Sequence, residues 1–77
     1  MSKIEEKIIK IILLVLTNNQ MYLSEKINRS MSLRDDLGFD SLMLAELTVH
    51  IEEEFDIDIF EDGIVNTIEE ILKKLSK

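Results

Sequence analysis

The chemistry open to this 77-residue chain depends first on Ser41 and on the single histidine, His50. A nucleophilic serine needs a general base within hydrogen-bonding reach. His50 lies nine residues after Ser41 in the same predicted helix, roughly 13.5 Å along its axis and on its opposite side. The sequence also has neither a Gly-x-Ser-x-Gly motif nor a glycine run for an oxyanion hole. We therefore exclude a serine hydrolase and predict no catalytic residue.

The carboxylates offer possible metal ligands, and the best candidate loop is residues 56–63. A calcium-binding EF-hand loop requires oxygen ligands at its first, third and fifth positions and glycine at its sixth. Here Phe60 is at the fifth position and Glu61 at the sixth, so we predict no metal site. The chain has no cysteine, which excludes disulfides and thiolate metal sites.

The acidic residues are unevenly distributed. The net charge is −7, and residues 35–72 contain thirteen acidic residues but no lysine or arginine. Such a chain repels phosphate, so we do not expect it to bind nucleic acid. One interpretation of the acidic stretch is a solvated face that keeps the protein soluble. The interpretation that we favour is a docking surface for partners with basic patches.

Hydrophobic periodicity predicts an all-α fold. The first helix is expected from residue 2 or 3 to residue 16, buried on more than one side, and the second from residue 40 or 41 to residue 55 or 56. Residues 20–40 between them lack strong periodicity and indicate a long loop. We expect this loop to be anchored by its apolar side chains, namely Met21, Tyr22, Leu23, Ile27, Leu33 and Leu37.

The C-terminal part predicts two further helices. A short helical turn is expected near residues 60–65. Thr67 and Glu70 have the spacing of a capping box, with Thr67 as N-cap of a last helix that runs to about Leu75. The result is a single domain over residues 1–77, a small bundle of three longer helices and one short helix.

The N-terminal apolar run, residues 8–16, is not predicted to be a membrane anchor or a targeting signal. Nine helical residues extend roughly 14 Å, against a hydrocarbon core of about 30 Å. Glu5 and Glu6 stand where a signal peptide would be positively charged, and no small-residue cleavage site follows. We therefore expect a soluble cytoplasmic protein without stable membrane insertion.

The most informative motif is Asp-Leu-Gly-Phe-Asp-Ser-Leu at residues 36–42, followed by Glu-Glu-Glu-Phe at residues 52–55. Glycine permits a turn, and Asp40 or Ser41 is suited to cap the next helix. These residues alone leave open a non-catalytic acidic helical interaction module in which Ser41 is a plain N-cap.

With its length, acidity and helix order, this motif resembles the acyl carrier proteins over nearly the whole chain. The resemblance implies a freestanding, monomeric carrier and not an enzyme. Ser41, flanked by Asp40 and Leu42, would receive a 4'-phosphopantetheine arm from coenzyme A. A phosphopantetheinyl transferase with magnesium would make the transfer, and acyl groups would be held as thioesters on the arm's thiol.

The resemblance also implies a partner-binding face on the second helix. It would bind acyltransferases, ketosynthases and related enzymes of fatty acid synthesis. The second choice of pathway is polyketide or specialised lipid synthesis. Met43 replaces an acidic residue common in fatty-acid carriers, and the region around the third helix looks about two residues short. The expected partner-binding residues are Leu42, Met43, Glu46, Val49, Glu52, Glu53 and Ile59. The expected lining of an acyl pocket is Leu44, Leu47, Ile51, Phe55, Ile59 and Ile68.

Overall fold

The computed structural model describes residues 3–22, 26–61, 63 and 65–75. Three helices form in this part of the chain: α1 (Lys3–Asn18), α2 (Ser41–Phe55) and α3 (Ile68–Leu75). They confirm the all-α prediction, and the ends of α2 and α3 agree with the predicted ones. None of the helices in the described ranges is long and apolar enough to cross a membrane.

The predicted fourth, short helix near residues 60–65 is not confirmed. Phe60 and Glu61 form a turn and Gly63 lies in a bend, while residues 62 and 64 lie outside the described residues. Phe60 N–H donates a hydrogen bond to the Asp58 carboxylate at 2.9 Å. Such side-chain bonds to nearby amides favour turns over continuous helix.

Helix α1 is amphipathic and buries one stripe against the other helices. Its buried apolar side chains are Ile8, Ile12, Val15 and Leu16. The prediction that α1 is covered on more than one side was wrong, because Leu13 and Leu14 are exposed. Asn18 ends the helix two residues later than predicted, and Gln20 then turns the chain with a φ of +58°.

Helix α3 begins with the predicted capping box. Glu70 N–H donates to Thr67 Oγ1, and Thr67 N–H donates to Glu70 Oε1, both at 3.2 Å. The segment before α2 is joined to this helix start, since Leu33 N–H donates to the Asn66 carbonyl at 2.9 Å. Ser32 and Thr67 form an isolated antiparallel bridge there. These bonds fix the backbone that leads to α2.

Arg29 links the same segment to α1. Its guanidinium donates to the Glu5 carboxylate at 2.8 Å and 3.1 Å. This hydrogen bond holds the pKa of Glu5 below its usual range. Because the pKa is lowered in the folded state, the contribution is full at neutral pH and is lost only as the pH falls through that lowered value.

Candidate functional site

The start of α2 is capped by Asp40 and not by Ser41. Asp40 has extended backbone angles, and its Oδ1 accepts a hydrogen bond from Met43 N–H at 2.9 Å. This is the geometry of an N-cap, in which a side-chain oxygen satisfies an otherwise unpaired helical amide. The sequence left the cap open between the two residues, and the structure assigns it to Asp40.

Ser41 is consequently the first residue of α2, with its side chain exposed. Within the described part of the chain, the Ser41 hydroxyl makes no hydrogen bond. Its backbone lies at the positive end of the helix dipole, where unpaired amides favour a nearby anion. The N-cap role that the alternative prediction gives to Ser41 was therefore wrong.

Capping by Asp40 makes a testable prediction. Asp40→Ala removes the acceptor of the Met43 amide and should lower the free energy of unfolding by about 1 kcal/mol. Asp40→Ser keeps a capping oxygen and should unfold close to the wild type. Urea titration followed by circular dichroism measures both. Equal stability of the Ala variant and the wild type would contradict the capping assignment.

Gly38 shapes the turn that delivers Asp40 and Ser41. Its φ is +76°, in the left-handed region that only glycine adopts without strain. A Cβ atom at this position would also lie 2.9 Å from Met21 Cε. On either side of it, Leu37 and Phe39 are buried in the core. The buried side chains of Leu37 and Phe39 therefore anchor the turn on both sides of Gly38.

Replacing Gly38 by alanine should therefore destabilise the protein. A non-glycine residue in the left-handed region costs about 1–2 kcal/mol, whereas the terminal methyl of the flexible Met21 side chain can move aside at small cost. The neighbouring Asp35→Ala, at an exposed turn position without a positive φ, serves as the matched control. Thermal unfolding of the two variants should give a lower Tm for Gly38→Ala only, and equal values would refute this account of the turn.

A groove of about 350 Å³ opens beside Ser41. Only Leu44 of the six predicted pocket residues lines it, while Leu47, Ile51, Ile59 and Ile68 are fully buried in the core. These side chains pack in the core, and their role as lining of an acyl pocket between the helices stays a prediction. The groove is lined by Arg34, Ser41, Leu44, Ala45, Thr48 and Phe60. The sequence prediction missed Arg34, whose one signal was its position as the last cation before the acidic stretch.

The predicted partner-binding residues fall into two groups. Met43 and Ile59 are only 3% and 0% exposed, so both belong to the core and are removed from the surface prediction. Leu42 and Val49 are 74% and 57% exposed. Glu46 is half-buried, and Glu52 and Glu53 are both exposed. Together with Leu42 and Val49, these glutamates recur at three- and four-residue spacing along α2. We call these five residues, Leu42, Glu46, Val49, Glu52 and Glu53, the α2 face.

Glu46 is held in place by the end of α1. Asn18 Nδ2 donates to its Oε2 at 2.9 Å and Asn19 Nδ2 to its Oε1 at 3.2 Å. These hydrogen bonds, first that of Asn18 and then that of Asn19, lower the pKa of the Glu46 carboxyl. Asn18 is also the last residue of α1, and Asn19 lies in the turn that follows it. Their hydrogen bonds also join the end of α1 to α2 and favour the ionised form of the Glu46 carboxyl.

His50 lies next to acidic side chains of its own helix. Its Nε2 is 3.8 Å from Glu46 Oε2 and its Nδ1 is 3.7 Å from Glu53 Oε1. Because α2 is one continuous helix, His50 remains on the far side from Ser41. Across the described ranges, no three His, Asp or Glu side chains cluster closely enough to hold a metal ion.

Comparisons with known proteins agree on one family. Residues 7–75 match the family model described as the phosphopantetheine attachment site. An acyl carrier protein of Buchnera aphidicola from Acyrthosiphon pisum (strain Tuc7) is 42% identical over 79 residues, covering 100% of this chain and 94% of the relative. An acyl carrier protein of Rickettsia bellii is 41% identical over 56 residues, covering 73% of this chain and 64% of that relative.

A solved structure from Mycobacterium tuberculosis, described as an acyl carrier protein, superposes with a TM-score of 0.72. It is 30% identical and covers 94% of this chain and 93% of its own. The family binds phosphopantetheine, and its members are carriers and not catalysts. With a family model over most of its length and a full-length relative, this chain belongs to the phosphopantetheine-binding acyl carrier proteins.

Proposed function

We propose that Ser41 is the attachment point of the 4'-phosphopantetheine arm and that the protein delivers acyl groups to the enzymes of fatty acid synthesis. The observation that supports this proposal is that two neighbouring residues at the start of α2, Asp40 and Ser41, have different roles. Asp40 performs the capping, and the Ser41 hydroxyl is exposed without a structural task. Polyketide or specialised lipid synthesis is the second candidate pathway.

The residues present fit the group that the family carries. A phosphodiester on Ser41 would stand at the positive end of a 15-residue helix, with the Arg34-lined groove beside it. When bound, the arm supplies a thiol that holds acyl groups as thioesters. In the transfer, Ser41 Oγ bonds to the phosphopantetheine phosphorus and loses its proton. The pyrophosphate bond of coenzyme A breaks, and the nucleotide bisphosphate leaves.

Activation of the hydroxyl is assigned to the transferase and not to this chain. His50 lies on the far side of α2, and Asp40 is occupied with the Met43 amide. Within the described part of the chain, no side chain is therefore placed to act as a general base for Ser41. A separate phosphopantetheinyl transferase with magnesium, which the resemblance to the family implies, would supply the base.

The α2 face is the proposed docking surface for that transferase and for acyltransferases and ketosynthases. Its two exposed apolar residues, Leu42 and Val49, alternate with acidic ones along one side of the helix. Such a mixture suits a basic partner surface with shallow apolar pockets. This function agrees with the monomeric state and cytoplasmic localisation predicted from the sequence.

Loading with an acylated arm tests the proposal. The protein is incubated with acetyl-coenzyme A, magnesium and a broad-specificity phosphopantetheinyl transferase, and its intact mass is measured before and after hydroxylamine treatment. We expect one acetylated arm per chain and loss of the acetyl group alone in hydroxylamine, which cleaves thioesters. A folded protein that gains no mass would contradict the proposal and favour an interaction module.

A further inference from the structure

We propose that Arg34 is a positioning residue that holds the phosphodiester of the arm in the groove beside Ser41. The inference rests on the function proposed above, which fixes the phosphate by its bond to Ser41 Oγ. Arg34 and Ser41 line the same groove, although seven residues separate them in the sequence. Among the described residues that line the groove, Arg34 is the charged one and the rest are mostly apolar.

The backbone at Arg34 is held on both sides. Before it, Leu33 is fully buried, and its amide donates a hydrogen bond to the Asn66 carbonyl, as described above. After it, the amides of Asp36 and Leu37 both donate to the Ser32 carbonyl at 3.1 Å. The Arg34 side chain therefore extends from a turn whose backbone is already held by hydrogen bonds. Less conformational entropy is then lost when this side chain binds an anion.

The charges around Arg34 leave it available for a phosphate. It is exposed, and no carboxylate of the described residues forms a salt bridge with it. Of the two acids that follow it, Asp36 accepts the Ser32 amide at 2.6 Å, and Asp35 is exposed. Since the chain has a net charge of −7, a phosphodiester at Ser41 gains from a local cation.

Arginine is the side chain best suited to this task. Its planar guanidinium donates two parallel hydrogen bonds to phosphate oxygens, which lysine does not do. Arg34→Gln should remove the contact and leave the Ser41 hydroxyl and the Asp40 cap unchanged. Lys10→Gln is the matched control, because it removes one exposed positive charge from α1, outside the groove lining.

The test compares wild type, Arg34→Gln and Lys10→Gln, each converted with coenzyme A and the transferase and confirmed by mass. The ³¹P resonance of the phosphodiester should be shifted in Arg34→Gln relative to the wild type and unchanged in Lys10→Gln. The shift should shrink in about 1 M salt, which screens a contact between exposed charges. The Arg34 Nε–Hε signal of the wild type should also move when the arm is attached.

Two results would overturn the inference in distinguishable ways. Identical ³¹P resonances in the three modified proteins, with an Arg34 signal that attachment does not move, would refute the role of Arg34 while the carrier function stands. A folded wild type that takes up no arm would refute the carrier function, and the role of Arg34 with it.

Discussion

Ser41→Ala should abolish attachment of the arm completely while leaving the fold intact. The substitution removes the hydroxyl oxygen that would bond to the phosphorus of the arm. No other side chain at the start of α2 can take its place. Since Asp40 and not Ser41 caps the helix, the variant should unfold with nearly the wild-type free energy. Alanine is a good helix former, which adds a small gain at this position.

Asp40→Ala is the companion variant that separates structure from chemistry. It should lose stability, as stated above, and still carry the hydroxyl that accepts the arm. Intact mass and a thermal melt on both variants give the comparison. A Ser41→Ala protein that is as stable as wild type and still gains an arm would refute Ser41 as the attachment point.

Reversing two charges of the α2 face should slow association with the partner enzymes. Glu52 and Glu53 are exposed, and neither carboxylate makes a hydrogen bond within the described residues, although Glu53 Oε1 lies 3.7 Å from His50 Nδ1. Exposed charges act mainly on the rate of encounter, so Glu52→Lys with Glu53→Lys should lower the association rate with a basic transferase on the order of tenfold at low salt. The difference should largely disappear in about 1 M salt.

The control is a double variant with the same change of net charge, Glu6→Lys with Glu61→Lys. Both residues are exposed and lie outside α2. Stopped-flow measurement of transferase binding distinguishes the two. Equal rates for the two double variants would mean that total charge and not the α2 face determines docking.

Local signals in the sequence were sufficient for the helix ends near the site. At α2 the spacing narrowed the cap to Asp40 or Ser41, and the structure assigns it to Asp40. The Thr67–Glu70 pair satisfies amides within three residues of itself, so its geometry follows from spacing alone. The same holds for Gly38, whose turn precedes a helix start. These features depend on neighbours along the chain, which the sequence shows directly.

The exposure of single apolar residues could not be predicted in this way. Tyr22 was expected as an anchor of the loop and is 79% exposed, whereas Leu33 and Leu37 are buried as predicted. Met43 and Ile59 were expected on the surface and lie in the core. Periodicity identifies an apolar stripe, but its width depends on which segments pack against it.

Contacts between distant segments were missed for the same reason. Asn18 and Asn19 reach Glu46 across more than 25 residues of sequence, and Arg34 lines the same groove as Ser41 from the turn before α2. Neither pairing has a local signal. The proposed attachment residue was thus identified from its motif, whereas the side chains around it required the fold.

Peptide mapping of the modified protein is the sharpest test of whether Ser41 bears the arm. After incubation with coenzyme A, magnesium and the transferase, the protein is digested and its fragments are sequenced by mass spectrometry. We predict phosphopantetheine on Ser41 and on no other serine. An arm found on Ser30 or Ser32, or a folded wild-type protein without any arm, would contradict the claim.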